Sequence, residues 1–210
     1  MIVKNGAQLR ILLAAERLFA QYGIDGPSLR EIGALAGQRN NSAVQYNFGS
    51  REGLIKALYT YRLAPLNQRR LALLDDIRTA GLEEDPHALV TAYVRPLAES
   101  VQRDRGSSWY ARFTNRYVLS DHMYTDTLGN DSTSGIRATV RLLSHALAHL
   151  PQPVLDERLR KMHLLVTSVL ADLERRYEHQ ETDDAHARLI VDDLITTTTA
   201  LLTAPAPAPS

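Results

Sequence analysis

The stretch from Ser28 to Arg51, SLREIGALAGQRNNSAVQYNFGSR, constrains this chain more tightly than any other segment. It reads as two short helices joined by a polar turn and closed by an aromatic-Gly-Ser corner. Ser28 and Glu31 have the S-x-x-E spacing of a capping box, in which each residue satisfies an orphan N–H at a helix start. Ile32, Leu35 and Ala36 follow at helical spacing, and Gly37 stands where a helix end needs a left-handed residue. Beyond the turn QRNN at 38–41, Val44 and Phe48 lie four apart and point inward. A helical wheel sets Ser42 and Tyr46 on the opposite face, with Gln45 and Ala43 flanking them. A short helix with such an outer face fits a major groove, where hydroxyl and amide groups read base edges.

The segment from Ile11 to Tyr59 resembles the N-terminal head of the TetR family of transcriptional regulators. The resemblance starts with ILLAAERLFAQYG at 11–23, runs through the Ser-capped second helix and ends in YNFGSREGL at 46–54. Two departures stand out. The QRNN turn is one residue longer than the common pattern, which leaves the register of the recognition helix open. Asn47 also replaces the histidine usual before the phenylalanine, and Gln45 falls where many relatives carry tyrosine. The resemblance implies an all-α homodimer, with a three-helix helix-turn-helix head and a helical effector-binding and dimerisation domain. The expected division is a head over 1–50, a body over 51–203 and a disordered Pro/Ala tail over 204–210.

Composition fits that class and excludes others. A chain of 210 residues is long enough to bury a substantial core. With no cysteine, disulfides, thiolate metal sites and cysteine nucleophiles are ruled out. No apolar run reaches the roughly 18 residues of a membrane span, and MIVKNGAQLR lacks a signal peptide's apolar core. A cytoplasmic protein with no membrane partner is expected. The net charge is zero, yet residues 1–56 hold seven basic and four acidic side chains. A mildly basic head on a mildly acidic body suits contact with phosphate at one end.

Past the head every signal is helical, giving about nine helices in all. Ser50 should cap a helix running through Leu54, Leu58 and Tyr61, which Pro65 kinks or breaks before Ile77. Asp85-Pro86 is a cap followed by proline at the first helical position, opening a helix through Val90, Tyr93, Leu97 and Val101 that Pro96 bends. Another helix, from about Ser107 to Leu119, carries Trp109, Tyr110, Phe113 and Tyr117. A further stripe holds Ile136, Val140, Leu143, Leu147 and Leu150. In the penultimate helix Leu155, Leu159, Met162, Val166, Val169 and Leu173 form a seam of coiled-coil spacing. Ala187, Ile190, Leu194, Thr197 and Leu201 do the same in the last. Leu164, Leu165 and Leu170 fall off the first seam, so that helix is apolar on two faces, which asks for a second partner. With the resemblance, this makes Leu164, Leu165, Val169, Ile190, Leu194 and Leu201 the candidate dimer surface.

Catalytic patterns are poorly supported, and no enzyme is expected. His145 and His149 share a helix face, but the glutamate of H-E-x-x-H is absent and His163 could join them only through folding. No cofactor or metal is implied, although a metal-dependent protein built on those histidines is the alternative reading, beside a helical small-molecule binder with a decayed head. G-x-S-x-G does not occur, and the acidic pairs fall at helix ends or solvated faces. Tyr93, Trp109, Tyr110, Phe113 and Tyr117 read either as core or as the wall of an effector pocket. Arg112 and Arg116, interleaved among them, would be awkward in a closed apolar core.

The sequence therefore predicts a ligand-responsive DNA-binding repressor that binds a pseudo-palindromic operator as a homodimer and is released by a small-molecule effector. Candidate phosphate contacts are Ser28, Tyr46, Ser50 and Arg51. Asn41, Ser42, Ala43 and Gln45 are the candidates for base readout, with Gln45 suited to a bidentate contact with adenine. Arg39, Asn40 and Asn47 complete the expected DNA-binding set.

Overall fold

A computed structural model describes residues 6–40, 42–120 and 133–206, and all regular structure among them is helical. Nine helices follow in order among the described residues: α1 (Gly6–Tyr22), α2 (Leu29–Leu35), α3 (Ala43–Phe48), α4 (Arg51–Thr79), α5 (Pro86–Arg103), α6 (Tyr110–Val118), α7 (Ser134–Ala146), α8 (Gln152–Glu178) and α9 (Asp184–Thr203). This is the all-α architecture that the periodicity predicts.

α1 forms because Ile11, Leu12, Ala15 and Phe19 recur on one face, and all four are buried. That face packs on α2 and α4, and α1 also reaches α6 in the body. Ile32 of α2, Val44 of α3, and Leu54 and Leu58 of α4 complete the head core. Each side chain of this size contributes roughly 1.5–3 kcal/mol on burial, which lets such short helices hold their places.

α4 is the bridge between the two halves, since it contacts α1 and α3 on one side and α5 and α7 on the other. Ser50 caps it by accepting from the Gly53 N–H at 3.1 Å. Pro65 does not break it. The helix runs unbroken over 29 residues with Pro65 inside and exposed, and burial of Leu63 and Leu66 on either side holds the backbone helical through the lost hydrogen bond. Asp85 caps α5 as expected, its carboxylate accepting from the His87 N–H at 2.9 Å.

The body is built around α5, α6, α8 and α9, with α6 on α8 the most extensive pairing. Here the phase of the stripes differs from the sequence reading. In α8 the buried set is Leu155, Met162, Val166, Leu170 and Leu173, while Leu159 and Val169 are half-buried. In α9 it is Ala187, Val191, Leu194, Ile195, Thr198 and Leu202; Ile190 and Leu201 flank it and Thr197 is exposed. Adjacent apolar pairs such as Ile190-Val191 and Leu201-Leu202 make two phases equally plausible on a wheel, and packing selects one. The start of the tail is also held. Arg158 donates from Nη1 to the carbonyls of Leu202 and Ala204, and from Nη2 to that of Pro205. Residues 204–206 are thus anchored, against the expectation of disorder, and 207–210 lie outside the described residues.

Candidate nucleic-acid interface

The helix-turn-helix is assembled from local chemistry. Glu31 N–H donates to Ser28 Oγ at 3.2 Å, and Ser28 N–H donates to Glu31 Oε2 at 2.7 Å, so both halves of the capping box are made. The Ser28 hydroxyl also donates to Glu31 Oε2, and these bonds hold the Glu31 carboxyl below its usual range. α2 ends at Gly37, whose φ of +69° is the left-handed turn that the sequence requires there. α3 packs closely on α2: a Cβ added at Gly33 would meet Val44 Cγ2 at 3.4 Å.

The start of α3 has a device that the sequence reading missed. Asn40 Oδ1 accepts from the Ser42 N–H at 2.9 Å, an Asx turn that leads into the helix, while the Ser42 side chain makes no capping bond. The signal was present, since asparagine two residues before a helix start favours this turn. Val44 and Phe48 are buried, as their spacing predicts. Ser42 and Gln45 are exposed, Ala43 is half-buried, and Tyr46 is 90% exposed, standing clear of the fold. Arg39 is exposed beside the turn. Asn41 lies outside the described residues.

Two candidates have tasks within the fold. Asn47 Nδ2 donates to the Ala43 carbonyl at 2.7 Å, one turn back along α3. Arg51 turns inward: Nη1 donates to the Ile24 carbonyl at 2.7 Å and Nη2 to that of Pro27 at 2.8 Å. The guanidinium fork clamps the loop between α1 and α2 onto the start of α4. That is a structural role which the sequence did not show, since only the fold brings residues 24, 27 and 51 together.

The junction between head and body is a charged seam. Glu16 of α1 is fully buried and takes a bidentate pair from Arg62 of α4, with Nε at 2.6 Å and Nη2 at 2.8 Å. Its Oε1 also accepts from the Trp109 N–H at 3.0 Å. Two residues on, Glu174 of α8 accepts from the N–H groups of Ala111 and Arg112, and from Arg112 Nε. Carboxylates from α1 and α8 therefore bracket the N-terminal end of α6, where orphan N–H groups favour negative charge. Burial pushes the Glu174 carboxyl up to about 7, against the N–H donors and Arg112 that hold it down.

The five candidate pocket residues occupy separate environments and do not form one wall. Tyr110, Phe113 and Tyr117 are buried around Tyr59, with Phe19 of α1 stacked on Phe113 at 5.9 Å. Trp109 lies between Arg17 and Arg112, whose guanidinium carbons are 5.0 and 5.9 Å from its ring centre. Tyr93 sits elsewhere, its hydroxyl bonded to His163 Nδ1 at 2.5 Å. Arg112 is reconciled with this core by its ion pairs to Glu174 and Glu178. Two open clefts, one of about 510 Å³ in the head beside Leu18, Tyr22 and Leu35 and one of about 270 Å³ between α4 and α5, are lined by other residues.

The metal alternative does not assemble. His145 and His149 are exposed on the surface while His163 is bonded to Tyr93. Among the described residues, no group of three or more histidine or acidic side chains could hold an ion. Nor is any helix there long and apolar enough to cross a membrane. On the candidate dimer surface, Leu164, Leu165, Val169, Ile190 and Leu201 are half-buried, but Leu194 is 3% exposed. Leu194 is a core residue of the chain itself, because α9 turns that face toward its own bundle.

Residues 11–58 match the family described as bacterial regulatory proteins, tetR family. Solved structures share the fold over nearly the whole chain. A protein from Shewanella sp. PV-4 assigned to the tetR family of transcription regulators is 19% identical, with 91% of this chain and 96% of that one covered at a TM-score of 0.58. A TetR family transcription regulator from Marinobacter aquaeolei VT8 is 16% identical over 90% and 94% of the two chains, again at 0.58. A HlyIIR mutant protein with residues 170–185 substituted by alanine is 15% identical over 98% and 100%, at 0.55. No curated protein sequence matches the chain.

Proposed function

We propose that this chain, whose head is a tetR-family DNA-binding domain on a TetR-like helical body, is a repressor that binds a pseudo-palindromic operator as a homodimer and leaves it when a small molecule binds. The observation that carries this reading is the outer face of α3. Ser42, Gln45 and Tyr46 stand exposed on a helix whose other face is sealed into the head, which is how a recognition helix offers side chains to a groove. The body supports the regulatory half: the α6 start is tied to α1 through Glu16 and to α8 through Glu174, so a shift in the body has a route to the head.

Two heads related by a two-fold axis read inverted half-sites, spaced by one helical turn of roughly 34–36 Å or a multiple of it. An effector that favours a head spacing unsuited to that distance weakens binding, and coupling of about 1–3 kcal/mol is typical. Selection of bound fragments from a randomised duplex library tests the proposal. The expected outcome is an inverted repeat whose affinity falls steeply with salt. Recovery of no enriched sequence, with salt-independent retention, would refute it.

A further inference from the structure

Arg70 is left without a task by this reading. It lies on α4 within the body and is only 3% exposed. Nη1 donates to Asn67 Oδ1 at 2.9 Å and Nη2 to the Tyr93 carbonyl at 3.1 Å. Its guanidinium carbon stands 5.7 Å from the Tyr93 ring centre. Nε is buried and has no hydrogen-bond partner among the described residues. Among the described residues the groups acting on its charge are Tyr93 and Tyr110, with no carboxylate. The half-buried Arg62 and Arg112 are paired with carboxylates, Glu16 for one and Glu174 with Glu178 for the other, and the buried Arg158 donates to three carbonyls. A buried charge without a counter-charge is costly, and a structure retains one where something offsets it.

The surroundings specify what would offset it. Tyr93 joins Arg70 to His163 of α8 through the hydroxyl bond to Nδ1. Burial and the nearby Arg70 charge lower the His163 pKa, so that imidazole is neutral at pH 7. The cluster thus carries one positive charge, and Leu66 and Leu74, one turn either side on α4, are both buried.

We propose that the Arg70–Tyr93–His163 cluster is an anion subsite that receives the carboxylate of an apolar monocarboxylic acid, a proposal that rests on the ligand-responsive reading above and names its ligand class. One carboxylate oxygen accepts from Arg70 Nε, and the other accepts from the one donor left to the Tyr93–His163 pair once their own hydrogen bond is made, either the Tyr93 hydroxyl or the His163 ring N–H. A monoanion brings the site to neutrality. A phosphate dianion would leave a net negative charge in an apolar interior, which disfavours it.

The full-length parent protein is titrated with benzoate and octanoate, with benzamide and octanamide as uncharged counterparts and inorganic phosphate as the dianion. Calorimetry and thermal unfolding are the readouts. At least one carboxylate is expected to raise Tm, with its amide and phosphate binding at least about tenfold more weakly. Arg70→Met should abolish that stabilisation, and the Tm of the ligand-free variant is measured alongside because methionine also removes the bonds to Asn67 Oδ1 and the Tyr93 carbonyl. Tyr93→Phe, which keeps the ring, should weaken the carboxylate several-fold and provides the test should Arg70→Met fold poorly. No binding by either carboxylate, equal binding of the amides, or full binding by Arg70→Met would overturn the assignment. Operator binding is measured in the same samples. A carboxylate that binds through Arg70 yet leaves the operator complex intact upholds the site and removes the release mechanism.

Discussion

Gln45 and Arg51 are six residues apart and differ in kind. Gln45 is exposed on α3, and its amide can meet an adenine edge with two bonds. Gln45→Ala should relax preference at one base pair per half-site by about 1–3 kcal/mol, read by binding to single-base operator variants. Unchanged base preferences would remove Gln45 from the readout set. Arg51 holds two backbone carbonyls of the α1–α2 loop. Arg51→Ala should therefore lower the stability of the head by about 2 kcal/mol in urea unfolding. Lysine should not restore it, because a single ammonium cannot span two carbonyls as a planar fork does. Equal unfolding midpoints for parent and Arg51→Ala would show the clamp to be inert.

The elements divide by how local their causes are. α2, α4 and α5 were legible because Ser28, Ser50 and Asp85 cap them within three residues in sequence. The inward face of α3 was legible from Val44 and Phe48 alone. The phase of α9 was not, because paired apolar neighbours fit two wheels, nor was the role of Glu16, whose partner Arg62 lies 46 residues away. Glu174 belongs to this class too, and it makes a prediction in pH. Its folded-state pKa of about 7 exceeds its ordinary value of 4.5, so the fold takes up a proton. The stabilisation is complete below pH 4.5 and is lost as pH rises through about 7, amounting to at most roughly 3 kcal/mol. His163, with its pKa lowered by burial and by Arg70, acts in the opposite sense below its ordinary 6.5. Glu174→Gln removes the first dependence and spares the second. The gap between parent and variant stability should therefore change between pH 5 and pH 8, and a constant gap in denaturant titrations would exclude the shift.

For the whole molecule, packing separates two leucines that the sequence treats alike. Leu194 is inside the protomer and Leu165 is half-buried on α8. Leu194→Glu should unfold the body, since an unpaired carboxylate in a packed core costs several kcal/mol. Leu165→Glu should leave the protomer folded and split the proposed dimer, with circular dichroism unchanged and the mass halved in light scattering. Its operator affinity should then fall steeply, because two linked heads raise each other's effective concentration. A parent protein that is monomeric at micromolar concentration would end the dimer proposal.

Trp109 gives this protein an optical gauge that needs no label. It is the only tryptophan in the chain, and its ring lies between a cation of α1 and a cation of α6. Indole emission changes colour with the electric field across the ring, and here Arg17 and Glu16 of the head and Arg112 of the body all stand close to it. A swing of α1 away from α6 would carry Arg17 from the ring and leave Arg112 beside it. The intrinsic fluorescence of the native protein should therefore shift in wavelength if the head moves against the body, and an emission maximum that stays fixed while the operator is bound and released would show that it does not.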